Sequence, residues 1–169
     1  MLPRITRRLC GFSLLELTVA MAVFSIGMGG FSLILLASMQ GTAEARYQTA
    51  AALHAESLAE MIVLNSDAVG HYVNPIAPPP GDCLGAGADC GPDAIAAAYL
   101  DAWGKGIGAD LPEGTGLVCL DSNPEDGTAA TPACDGGGGP VVKVFWQEPR
   151  RPDDEGDGLR RAVVRLPLP

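Results

Sequence analysis

Hydrophobic and polar positions divide this chain into two regimes. From Phe12 to Met39 the residues are apolar or small, and Glu16 is the only charge among them. At about 1.5 Å per helical residue, that run is ample to cross a hydrocarbon core of roughly 30 Å. Gly27, Gly29 and Gly30 fall in its middle, where glycine is common in membrane helices and marks pliancy more than a break. Further on the pattern becomes one-sided: Tyr47, Ala51, Ala55, Leu58 and Ile62 recur at helical spacing with Met61 beside them, while Arg46, Glu56 and Glu60 fall off the stripe. These positions predict a single helix from about Ser13 to Leu64, apolar all round in its first half and laying one face on a globular domain in its second. It should end near Asn65-Ser66-Asp67, before the proline cluster "NPIAPPPGDC".

The segment "GPDAIAAAYLDAWGKGIG" then reads as a short helix, with Asp93 near the N-cap, Ala94 to Trp103 as its body and Gly104 at its end. Strands are expected at Gly116 to Leu120, Val141 to Trp146 and Leu159 to Leu166, where β-branched and apolar residues concentrate. Long polar loops separate them, and no internal repeat occurs. The expected class is α+β, a long N-terminal helix packed on a small antiparallel sheet with one short extra helix.

Composition narrows the function. The chain has 169 residues, room for one ordinary domain plus a membrane segment, and a net charge of −9. Without Arg4, Arg7 and Arg8 it would hold 8 basic against 20 acidic residues, which argues against a nucleic-acid-binding surface. Cys10 lies before the apolar run, and Cys83, Cys90, Cys119 and Cys134 lie beyond it. An even distal set points to two disulfides in an oxidising compartment, with three pairings open and neighbour with neighbour favoured. No paired Cys-x-x-Cys occurs and neither His54 nor His71 stands at finger spacing, so no metal or cofactor is expected. The three arginines before the run keep the N-terminus in the cytoplasm and send the remainder outward.

An ordinary secretory signal is cut after its apolar segment. Here the candidate cut, Gly11-Phe12, precedes it, so cleavage would remove only the basic leader. "GFSLLELTVAMAVF" resembles the class III signal and N-terminal helix of type IV pilins and pseudopilins. The resemblance implies that a prepilin peptidase cuts after Gly11, that the new N-terminal Phe12 is methylated, and that Glu16 serves assembly. It implies residues 1–11 as leader, 12–39 as the transmembrane and filament-core half of the helix, 40–65 as its amphipathic half, and 66–169 as an α+β head of pilin fold. A lone carboxylate at bilayer depth is costly unless paired, protonated or near the interface. In the family, the glutamate of an incoming subunit meets the amine of one already in the filament, so neutralising both charges rewards correct axial register. The plain alternative is that Glu16 lies at the headgroups and reaches water. "RRLC" has a leucine before its cysteine but lacks the upstream apolar segment of a lipoprotein signal.

The helix as far as Asn65, the stretch "DCGPDAIAAAYLDAWGKGIGADLPEGTGLVC" and the late "VVKVFWQE" resemble the PilV family of minor pilins. That resemblance implies a non-enzymatic subunit at or near the tip of a type IV pilus, promoting assembly and adhesion. Its partners would be the prepilin peptidase, other minor pilins, the major pilin, the inner-membrane assembly platform and a tip adhesin. It would reside in the inner membrane before assembly and on the cell surface afterwards. The second reading is a minor pseudopilin of a type II secretion system, and a third is a signal-anchored ligand-binding protein. "DDEGDG" opens like a calcium loop, but Val164 stands where the closing acid belongs, so a solvated hairpin turn is expected. Trp103 and Trp146 are expected in the core with their indole N–H groups satisfied.

Overall fold

The computed structural model describes Gly11 and residues 13–78, 81–148 and 157–167. Residues 1–10 of the leader, Phe12 and most of the "DDEGDG" loop lie outside the described residues. The element order is α1 (Leu14–Leu64), a 3-10 turn (Ser66–Ala68), α2 (Val69–Val73), α3 (Pro92–Asp110), β1 (Thr115–Leu120), β2 (Pro140–Gln147) and β3 (Leu159–Arg165). The chain forms two compact units, Met1–Ala43 and Glu44–Pro169.

In the first unit every described residue is exposed. Side chains such as Leu14, Phe24, Ile26, Phe31 and Leu33 therefore present apolar surface on all sides of α1, and the helix is long and apolar enough to cross a membrane. Its hydroxyls are spent locally. Thr18, Ser25 and Ser32 donate to the carbonyls of Leu15, Met21 and Met28 at 2.9, 2.8 and 2.9 Å, which suits a segment that water does not reach.

In the second unit the same helix becomes one-sided. Ala51, Ala55, Leu58, Ala59 and Ile62 are buried and join Trp103, Ile107 and Leu111 of the α3 region, Tyr72 of α2, and Val118, Val142, Val144 and Trp146 of the sheet in one core. The sheet is antiparallel in the order β1-β2-β3, so the α+β architecture with a long N-terminal helix, a small antiparallel sheet and a further helix is what the structure contains. β2, as the central strand, is buried on both faces. Val142, Val144 and Trp146 meet the helices, while Val141, Lys143 and Phe145 are also buried. Segment 121–139 reaches this second face. Pro132 O accepts from Lys143 Nζ, Glu125 O accepts from Arg161 Nη1, and Gly136 N–H donates to Leu120 O.

Two local expectations, the end of α3 and the number of extra helices, need correction. α3 does not stop at Gly104 but runs through Gly104, Gly106 and Gly108 to Asp110. Trp103, Ile107 and Leu111 continue a four-residue apolar stripe that is buried, and that burial outweighs the roughly 1 kcal/mol cost of each helical glycine. At the other end Gly91 is the N-cap and Pro92 the first helical residue, so Asp93 stands within the first turn. Between α1 and the prolines the chain also makes the short α2, which Tyr72 anchors in the core.

Candidate functional site

Of the residues expected to serve processing and assembly, Gly11 and Glu16 are described, just before and within the first turn of α1. Ser13 Oγ accepts the Leu15 N–H at 3.3 Å and its carbonyl accepts the Leu17 N–H at 3.2 Å, so Ser13 serves as the N-cap that starts the helix. Glu16 follows in the first turn, three residues on, as in a capping box. The unpaired N–H groups and the positive end of the helix macrodipole favour a carboxylate there by about 0.3–1 kcal/mol. Glu16 is exposed. Gly11 has open space where a Cβ would stand. Nothing among the described residues around it requires glycine.

The four distal cysteines lie in the second unit. Cys83 is bonded to Cys90 and Cys119 to Cys134. Cys119, Asp121 and Cys134 bring three atoms of metal-ligating type within 4.8 Å of one another, but the two sulfurs are spent on each other, which leaves no thiolate for a metal. Asp157 Oδ1 accepts the Leu159 N–H at 3.0 Å and so turns the chain into β3, while Asp153 and Glu155 lie outside the described residues.

Trp103 packs in the core and donates its indole N–H to His54 O at 2.8 Å. Trp146 also packs there, yet its indole N–H finds no partner among the described residues, a correction to the expectation for that residue. Both histidines hold aspartates of α3: His54 Nε2 is 2.9 Å from Asp110 Oδ2 and His71 Nδ1 is 3.1 Å from Asp93 Oδ1. An open apolar cleft of about 470 Å³ is lined by Tyr72, Ile76, Leu100, Trp103 and Leu117. Its one carboxylate, Asp101, is engaged by Lys105 at 2.6 Å, so the cleft offers shape without a reactive group.

One cluster escaped the sequence reading. Lys143 is fully buried and its Nζ contacts the buried Asp121 carboxylate. This contact, followed by the Asn123 N–H, holds the Asp121 carboxyl below its usual range against the opposing effect of burial. The signal was present in "VVKVFW", where a lysine interrupts a strand whose neighbours on both sides are core residues.

No curated protein and no solved structure matches this chain. The prokaryotic N-terminal methylation motif matches residues 6–32, the span that contains Gly11, Phe12, the Ser13 cap and Glu16; it is a signal motif and not an enzyme family. With the exposed apolar helix that follows, it indicates membrane anchoring. Residues 6–32 thus carry a type IV pilin-like class III signal, which implies processing by a prepilin peptidase and assembly with other pilins.

Proposed function

We propose that the protein is a minor pilin of a type IV pilus, of the PilV kind, built in at or near the filament tip and promoting assembly and adhesion. The observation that carries the reading is Glu16 in the first turn of an exposed apolar helix, inside a matched methylation motif. Cleavage between Gly11 and Phe12 frees and exposes to methylation an amine about one helical turn from Glu16. Before assembly the leader would lie in the cytoplasm, residues 12–39 in the inner membrane, and the unit bearing the disulfides in the periplasm. At bilayer depth an acidic residue costs about 2.5–3.5 kcal/mol. Pairing Glu16 with the amine of a subunit already in the filament offsets that cost only at one axial step, so it sets register. Major pilin, other minor pilins, the assembly platform and a tip adhesin are the partners on this reading. The PilV assignment rests on the similarity of the α1, α3 and β2 segments to that family.

Glu16→Ala should be cleaved normally yet co-purify with sheared pili at least roughly tenfold less, the fold-change of about 1.4 kcal/mol. Wild-type incorporation of that variant would overturn the charge-pairing role. In a deletion strain, loss of surface pilin and twitching with intact secretion supports the pilus. Loss of secreted enzymes with normal pili assigns the chain to a type II secretion pseudopilus, the second reading that the same motif favours. Retention of residues 1–11 in the mature chain would favour a signal-anchored binding protein.

A further inference from the structure

Lys143 stands in the middle of the central strand, opposite Leu117 on β1 and Val163 on β3. Its side chain is 0% exposed and that of Asp121 is 1% exposed. Around Nζ lie the Asp121 carboxylate in contact, the Pro132 carbonyl at 2.8 Å and Asp126 Oδ1 at 3.6 Å. Asp121 is itself fixed, because its Oδ1 accepts the Asn123 N–H at 2.9 Å and its own N–H donates to Gly139 O at 3.3 Å. Asp126 Oδ1 is buried without a hydrogen-bond partner among the described residues. A nucleophile and a carboxyl carbon are therefore held together where water does not enter, and Asp126, whose side chain is 47% exposed, turns its buried oxygen toward them. Such placement turns a bimolecular step into an intramolecular one and so lowers its barrier, and a buried ion pair is poorly compensated for the hydration it loses.

We propose that Lys143 and Asp121 condense after folding into an intramolecular amide, with Asp126 as the proton shuttle. The Lys143 ammonium passes one proton to the Asp121 carboxylate, giving a neutral amine and a neutral acid. Nζ attacks Asp121 Cγ and forms the C–N bond. Asp126 takes a proton from the nitrogen and delivers it to the departing hydroxyl, the C–O bond breaks, and one water leaves. Two charges vanish from the interior and Asp126 ends as it began. The remaining N–H keeps its partner in the Pro132 carbonyl. The link would fasten the residue after β1 to the centre of β2, beside the Cys119–Cys134 bond, and would hold the sheet under load even with that disulfide reduced. The value of such a link to a pulled filament rests on the pilus reading, while its chemistry does not.

The test is the intact mass of the full-length chain, purified in detergent and fully reduced. A chain lighter by one water is expected, with trypsin failing to cut after Lys143 and the loss residing in the peptide 106–150. Asp126→Ala, checked for native circular dichroism, should retain the unlinked mass, and a linked Asp126→Ala chain would overturn the shuttle. A wild-type mass equal to that of the processed sequence would overturn the proposal. So would a water loss with cleavage after Lys143 retained, which marks a succinimide at Asp126-Gly127. Neither result touches the deletion-strain experiment.

Discussion

Replacing Gly116 with alanine tests how closely α3 approaches β1. A Cβ built at Gly116 would collide with Trp103 Cη2 and stand 2.9 Å from Trp103 Cζ3 and 2.8 Å from Ile107 Cδ1. Neither neighbour can retreat freely. Ile107 is fully buried, and the indole is tied to His54 O at 2.8 Å, a bond with a net value of about 0.5–1.5 kcal/mol. Forcing a methyl into a filled core costs about 1–3 kcal/mol. Against this, alanine reduces the freedom of the unfolded chain and returns about 0.4–1 kcal/mol. The net expectation is a loss of about 1–2 kcal/mol, read by urea unfolding of residues 44–169 with Trp146 fluorescence as the probe. The decisive measurement is the double variant with Trp103→Leu, which removes the ring that the methyl strikes. There Gly116→Ala should be near neutral, giving a coupling of at least about 1 kcal/mol. An equal cost in both backgrounds would show that the helix and strand are not held apart by this contact.

Two further outcomes follow from the same unit. The Asp135 carboxyl is held below its ordinary 3.8 by the Ser122 hydroxyl first and then by the N–H groups of Gly137 and Ser122. A carboxylate with a lowered folded pKa contributes stability that is complete above 3.8 and is lost as pH falls through the folded value. Asp135→Asn should therefore flatten the acid limb of the stability curve below about pH 4 and leave its slope near neutral pH unchanged; an unaltered acid limb would refute the assignment. Removing the Cys83–Cys90 bond by paired alanines opens a loop with a sequence separation of 7, which costs about 2 kcal/mol of loop-closure entropy. A cost near zero in urea unfolding would mean that the unfolded chain does not feel that closure.

What the residues disclosed was decided by local signals that tertiary packing reinforces. The all-round apolar run and the later stripe through Ala51, Ala55, Leu58 and Ile62 fixed the extent of α1 to within a residue or so, because both features repeat along one continuous helix. The three strands were legible from their β-branched content, and the structure only shifts their ends: it adds Thr115, Pro140 and Gln147 and leaves Leu166 outside β3. The end of α3 was not legible. Three alternating glycines signal a stop, and only the burial of Ile107 and Leu111 by partners far along the chain reverses it. Lys143 was hidden for a similar reason. Its compensating groups, Asp121, Asp126 and the Pro132 carbonyl, come from a polar loop, and nothing in the spacing announces that this loop folds back over the sheet.

The glycines sort the chain into parts that answer to different judges. At Gly116 a side chain would strike the core. At Gly127 and Gly138, with φ of +83° and +67°, it would meet the Pro132 carbonyl and the Asp121 backbone, and the backbone itself favours glycine. Those residues are required by the fold, and substituting them should be felt as lost stability in any solvent. Gly11 is different, since open space surrounds its Cβ position and its substitution should leave the stability of residues 44–169 unmoved. Glu16 shares that independence: it is exposed and adds only a helix-end effect to its own molecule. Gly11 and Glu16 are two positions that the fold does not need, on either side of a helix cap and inside a matched methylation motif; on the pilin reading proposed above, a protease would read Gly11 and a neighbouring subunit would read Glu16.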